Sequence, residues 1–260
     1  MSNVALGSQH LLGAGKVWVA MYVNGVLQVA ERFLGNNDKF DVTPEVQRVE
    51  IRDSTSVDNA LLDSGETQRT LKLSINMREY SKENLAMQQM GTVTTYAQTN
   101  TPVVDEPVVV VAQDRSFQLG GYVNPARNVS APVVKHTSGS PTYVNGTDYI
   151  HNLKQGTIYI PAGSVIAAGA TVKVSYTPAT ETRNLVNIGQ ANDVDALVRF
   201  ESNARRGPKI DALIWHVQFS GASAMALVGP TEYAALALEG NILSDESNHP
   251  TAKYGVLITP

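Results

Sequence analysis

The 260-residue chain has no cysteine. Disulfides, thiolate nucleophiles and thiolate metal sites are therefore excluded, and toughness has to come from packing or assembly. Aromatic residues make up only 7% of the chain. No apolar run approaches the roughly eighteen residues of a membrane span, and Met1 to Gly15 lacks the basic start and apolar stretch of a secretory signal. The expectation is a soluble chain made in the cytoplasm, with no membrane span. A surplus of cations is missing too: 24 acids face 20 bases, for a net charge of -4. A protein that grips nucleic acid along its length needs clustered Lys and Arg to displace phosphate counterions, so weak avoidance of DNA is the natural expectation.

The signatures of catalysis are equally sparse. Gly13-Ala14-Gly15-Lys16 lacks the phosphate-loop spacing, and a strand rather than a helix follows it. The five histidines, at 10, 136, 151, 216 and 249, are dispersed without metal-ligand spacing. There is no Gly-x-Ser-x-Gly elbow. The acid pairs Asp105-Glu106 and Asp245-Glu246 are neighbours that a strand would point to opposite faces. Asp38, Asp41, Asp193 and Asp195 fall outside any EF-hand pattern. Asn128-Val129-Ser130 and Asn145-Gly146-Thr147 match glycosylation sequons, which without a secretory signal are expected by chance, and the second is better explained as a hairpin turn. No catalytic residue, cofactor or metal site is expected, and the chain is read as not an enzyme.

What is present is turn and strand chemistry. Twenty Gly, twelve Pro and many Thr, Ser, Asn and Val predict a mainly β protein. Val17, Val19, Met21 and Val23 alternate with Trp18, Ala20 and Tyr22, and Asn24-Gly25 supplies the pair of positive φ values that a tight hairpin turn needs. Strands are predicted at Val46 to Ile51 and at Arg69 to Met77. In the second, Leu71, Leu73, Ile75 and Met77 face one way while Thr70, Lys72, Ser74 and Asn76 face the other. Between them, Arg52 to Gln68 is polar and long, and is expected to be a functional loop. One helix is predicted, with Ser81 as N-cap, Leu85, Ala86 and Met90 as its apolar stripe, and Gly91 as its stop. Strands also fit Val108 to Ala112, Val194 to Glu201, Ile210 to Phe219, Tyr233 to Ile242 and Tyr254 to Ile258. In the third of these, Leu213, Trp215, Val217 and Phe219 are expected to be buried, with Ala212, His216, Gln218 and Ser220 pointing away. From about Tyr122 to Arg183 the texture changes to few acids and closely spaced turns, including a strand-turn-strand at Tyr143 to Ile150. This segment is predicted to be an inserted β subdomain.

The order of these features resembles the major tail tube proteins of long-tailed bacteriophages. The residues that carry the likeness are Gly15-Lys16-Val17-Trp18-Val19, Phe33-Leu34-Gly35-Asn36, Leu61-Leu62-Asp63-Ser64-Gly65 and Leu71-Lys72-Leu73-Ser74-Ile75. Tyr80 to Gly91, Val198 to Asn203, Pro208 to Phe219 and Glu232 to Asp245 extend it. The resemblance implies a β-sandwich or half-barrel of the tail tube type, with one short helix packed outside and an inserted β-rich subdomain. Residues 1–121 would form the first half of the tube domain, with a stacking loop at 52–68 and a helix at 81–90. Residues 122–183 would be the insert and 184–260 the second half. It further implies homohexameric rings stacked into a virion tail tube, assembled in the host cytoplasm, through which DNA passes without specific binding. A tape measure protein and a tail terminator would be its other partners. Leu61, Leu62 and Asp63 are then the expected ring-stacking residues. Thr70, Lys72, Ser74, Asn76, Asp195, Arg199 and Glu201 are the expected lumen wall, small polar groups with charges of both signs, and the net sign of the bore is expected to be negative. The alternative is a virion receptor- or carbohydrate-binding β module, with Tyr122, Tyr143, Tyr149, Tyr159 and Tyr176 as a stacking surface. Strand packing accounts for the same tyrosines.

Overall fold

The computed structural model describes residues 10–55, 57–220, 224–225, 227, 229 and 233–259. Most of the Met1 to Gly15 segment read for a leader, and Glu232 of the tail-tube likeness, lie outside the described residues. The chain divides into two units: residues Met1–Thr94 with Val186–Pro260, and residues Thr95–Leu185. Both are built of antiparallel sheets, a mainly β architecture consistent with a β-sandwich.

The first unit opens with β1 (Gly15–Val23), β2 (Val26–Leu27) and β3 (Arg32–Phe33). Asn24 and Gly25 take φ of 51° and 76°, the left-handed pair predicted for this turn. Then come β4 (Asn37–Arg52), β5 (Leu61–Met77), the helix α1 (Lys82–Gln88) and β6 (Thr92–Gln98), in which the chain passes from the first unit to the second after Thr94. The Ser81 hydroxyl caps α1 by accepting from the Asn84 amide at 3.1 Å. The helix ends differently from expectation. Met90 takes the left-handed conformation, at φ 48°. Gly91 is needed because a Cβ there would lie 2.6 Å from the Asn187 carbonyl oxygen.

The second unit contains β7 (Val103–Val109), β8 (Arg115–Gln118), β9 (Val133–His136), β10 (Ile150–Asn152), β11 (Thr157–Ile160) and β12 (Thr171–Tyr176). They form two three-stranded sheets, β10-β11-β8 and β7-β12-β9. Val108, Leu119, Ile158, Ile160, Val172 and Val174 pack into one core between them. This unit begins at Thr95, earlier than the Tyr122 suggested by composition. β7 pairs with β12 and β8 with β11, long-range partnerships that draw residues 103–118 into the unit. The hairpin expected at Tyr143 to Ile150 is reduced to a single bridge between Asn145 and Tyr149.

Next, β13 (Glu181–Asn187) pairs with β6. The chain then completes the first unit with β14 (Val194–Ser202), β15 (Asp211–Ser220), β16 (Leu236–Ile242) and β17 (Gly255–Ile258). The strand order of its nine-stranded sheet is β2-β1-β14-β15-β16-β5-β4, with β3 added on β1 and β17 on β15. Phe40 of β4 stacks on Phe200 of β14 with ring centres 4.9 Å apart, although three strands intervene in that order. The sheet therefore curls on itself, as the right-handed twist of successive strands dictates. Val17, Val19, Leu73, Ile75, Val198, Phe219 and Leu238 fill its concave side.

Candidate assembly surface

The largest departure from the sequence reading is at Arg52 to Gln68. Most of it is strand: β4 and β5 pair from Asn37↔Met77 to Arg52↔Leu61, and of the described residues only 53–55 and 57–60 lie between the strands. Leu61, Leu62 and Asp63 open β5 instead of sitting in a loop. The segment looks like a loop in sequence because it has no buried face and so no clean alternation. β16 pairs with β5 only from Leu71 to Met77, so among the described residues Leu61 to Thr70 have β4 as their one neighbour. The distal half of the hairpin is thus a two-stranded ribbon standing away from the sheet. Such ribbons are marginal in water unless something covers them. Val49, Ile51, Leu61 and Leu62 are all exposed, Leu62 to 65%.

The ribbon also exchanges its apolar face. On β4, Phe40, Val42, Pro44 and Val46 occupy the even positions, on the core side, and Lys39, Asp41, Thr43 and Glu45 the odd ones. Beyond Gln47 the even positions become Arg48, Glu50 and Arg52, and the odd ones Val49 and Ile51. The apolar side of the tip is therefore the side that is polar at the base, where the sheet's own core cannot reach it. Gly65, opposite Val49 in the ladder, leaves open space beside that side chain. The outer edge of β4 has no pairing strand among the described residues, which makes it a template for another chain. Pro44 sits on this edge, where a missing N–H is tolerated.

The expected lumen residues share one face of the sheet. The ladder aligns Asp195, Gln218, Asn241, Lys72 and Thr43 in one row, and Ser220, Glu239, Ser74 and Asp41 in the next. Asn76 follows between Ala237 and Lys39, and Thr70 pairs with Glu45. Arg199 and Glu201 lie farther along the same side of β14, opposite Trp18 and Lys16. Three cations of this face are held by carboxylates: Lys72 meets Glu45 at 2.9 Å, Lys39 meets Asp41 at 3.4 Å, and Arg199 meets Glu31 at 2.5 Å and Glu201 at 3.7 Å. Hydrogen bonds from Arg199 hold the Glu31 carboxyl below its ordinary range, and the same bonds raise Arg199.

The burial expected along β15 holds only for its second half. The β14–β15 register slips between Ala196 and Val198, so Ala212 and Ile214 are buried together with Val217 and Phe219. This bulge turns Trp215 and His216 to the same polar side. Trp215 stacks on His249 at 3.8 Å and donates its indole N–H to the Ala252 carbonyl at 2.6 Å. His216 stacks on Tyr22 at 4.6 Å, with Nε2 3.4 Å from Asp195. Burial, followed by the charges of Asp245 and Asp195, pushes the Tyr22 hydroxyl up. Sequence reasoning missed this cluster, and Trp215, Tyr22 and the two histidines carry no shared spacing that could have exposed it. Among the described residues no three His, Asp or Glu side chains converge as metal ligands, and no helix is long and apolar enough to cross a membrane.

The tyrosines of the second unit do not form a common platform. Tyr143, Tyr149 and Tyr176 are buried in its core. Tyr149 donates to the Pro132 carbonyl at 2.7 Å, and Tyr159 is bonded to Asp114. Tyr122 is the exposed member of the set.

Comparison with known sequences adds a family and no activity. No curated protein matches the chain. Residues 10–258 match one family profile, which spans both units, and the chain belongs to the family described as protein of unknown function UCP028589.

Proposed function

We propose that this chain is a structural subunit that assembles with copies of itself into stacked hexameric rings, a tube of the phage-tail kind whose bore conducts DNA. The observation that carries this reading is the β4–β5 ribbon, which stands out from its sheet with Val49, Ile51, Leu61 and Leu62 exposed and with the edge of β4 unpaired. An exposed apolar ribbon beside an open edge is an aggregation hazard in a monomer and an interface in an assembly. Pairing edges between copies removes them altogether. The face built by Asp195, Lys72, Ser74 and their row neighbours suits the bore, since its bases are already matched by acids and a repeated slight acid excess repels phosphate. In this reading the subunit works by shape and charge, without an active site, and belongs to the virion tail. A tape measure protein and a terminator would meet the finished tube. Negative-stain imaging of the concentrated protein is expected to show rings or tubes. Single particles of one subunit at every concentration, with sedimentation giving monomer throughout, would overturn the proposal.

A further inference from the structure

At the foot of β14 a second surface matches the hairpin tip in both apolar and charged character. Leu12 and Arg206 bridge through two backbone hydrogen bonds, Leu12 N–H to the Arg206 carbonyl at 2.9 Å and Arg205 N–H to the Leu12 carbonyl at 3.0 Å. Gly207 permits this contact: its φ is +92°, and a Cβ there would lie 2.5 Å from the His10 carbonyl oxygen. The segments so joined expose Leu11 at 56% and Leu12 at 57%. Around them residues 10–16 and 203–210 carry Lys16, Arg205, Arg206 and Lys209 and not one acid, in a chain whose net charge is -4. The hairpin has the opposite sign. Between Glu45 and Thr70 there are six acids and three bases, and Asp58 and Asp63 flank the exposed Leu61 and Leu62.

We propose that the Leu11-Leu12 patch, rimmed by Arg205, Arg206 and Lys209, is the acceptor for the hairpin tip of a second copy of this chain. The inference rests on the self-assembly reading above and names the partner surface that reading requires. A chain cannot satisfy its own patch. Leu11 lines the same cavity of about 330 Å³ as Asp38, Lys39, Phe40 and Asp41, near the foot of β4, where Asp38 is matched by Arg78 and Asp41 by Lys39. From Phe40 to the turn at Asp53 the strand runs on for thirteen residues, which at about 3.3 Å each puts the tip roughly 40 Å away. Tip and patch are different surfaces, so their contact is heterologous, the type that closes rings or propagates stacks. Two exposed leucines meeting two exposed leucines supply the apolar centre, and opposite charges around them set the register and exclude tip-to-tip pairing.

Complementary charge reversal tests this with the full chain. One variant carries R205E, R206E and K209E, which takes the patch from four positive charges to a net negative one, and the other carries D58K and D63K. Each alone is expected to lose at least tenfold in assembly by sedimentation, because tip and patch then carry the same sign. An equimolar mixture is expected to assemble, since each reversed surface finds its match on the other variant. The absence of native cysteine allows a positional check: mixing L62C with L11C under mild oxidation should yield a disulfide-linked pair containing one of each. If the wild type assembles while the patch variant assembles equally well, or while the mixture and the cysteine pair both fail, the acceptor assignment is overturned and self-assembly stands. A wild type that stays monomeric at every concentration overturns both.

Discussion

Glu31 and Arg199 show how one pair can be both structural and electrostatic. Arg199 on β14 shares its single Nε–H between the two oxygens of the Glu31 carboxylate, each at 3.0 Å, while its guanidinium lies 5.4 Å from the centre of the Trp18 ring. Because the folded-state value of Glu31 is depressed, the pair stabilises the fold above the ordinary carboxylate range near pH 4, and that contribution is lost as pH falls through the folded value. Glu31→Gln is therefore expected to cost about 0.5–1 kcal/mol at pH 7, a discounted figure for a pair about one-third exposed, and nothing once the wild-type carboxyl is protonated. Urea unfolding followed from pH 7 downward measures both, and a loss that stays the same over the whole range would contradict the assignment. Trp215 offers a second residue-scale test. Trp215→Ala removes the stack on His249 and the bond to Ala252, with an expected loss of about 1–3 kcal/mol by the same measurement. If Trp215 were a solvated surface residue the loss would stay within about 0.5 kcal/mol. The stretch Ala212-Leu213-Ile214-Trp215 is apolar at every position, so alternation cannot say which pair points inward, and the bulge that decides it comes from pairing with β14.

At the scale of elements, the hairpin divides what is readable from what is not. Its base, Leu71 to Met77, announces itself because one face is buried and every second residue must be apolar. Its outer half obeys no such rule within one chain. Both faces are exposed, so polar, charged and apolar residues mix, and the segment imitates a loop. Glu45 and Thr70 are ladder partners at the point where the ribbon leaves the sheet. Replacing residues 46–69 by Asn-Gly between them should therefore leave the fold intact, with a thermal midpoint within a few degrees of wild type, and abolish assembly. The deleted residues bury almost nothing in the subunit itself, so their absence costs it little. A truncated protein that still forms rings or tubes would show that the ribbon is not the interface. The helix illustrates the opposite case: the Ser81 cap and the Leu85, Ala86 and Met90 stripe are local signals, and they place the start of α1 within a residue of expectation, while its end falls two residues early, at Gln88.

The whole molecule is two units threaded in an order that local sequence conceals. β6 and β13 lead out of the first unit and back into it as paired neighbours. Substituting residues 99–180 by a short Gly-Ser linker between them is expected to leave a folded first unit that still assembles, because its sheet, its hairpin and its basic patch all lie outside the deleted stretch. The excised segment has its own core of Val108, Leu119, Ile158, Ile160, Val172 and Val174, and should fold as a separate cooperative unit. Calorimetry of the two pieces tests this, and failure of either to give a cooperative transition would show that the units depend on one another.

The amino-acid sequence by itself determined the mainly β character, the Asn24-Gly25 turn, the capped helix and the inward face of β5, because each depends on residues close together whose chemistry permits one local answer. The absence of cysteine and the mild acidity likewise follow from composition alone. Tertiary structure decided the rest. Residues 103–118 join the second unit because their strands find partners about forty or more residues away. The bulge in β15 sets which aromatic faces the core, since a one-residue slip reverses every side chain beyond it. The hairpin became a projecting ribbon because β16 stops pairing at Leu71, and a strand that loses its second neighbour has nothing in its own chain to bury against.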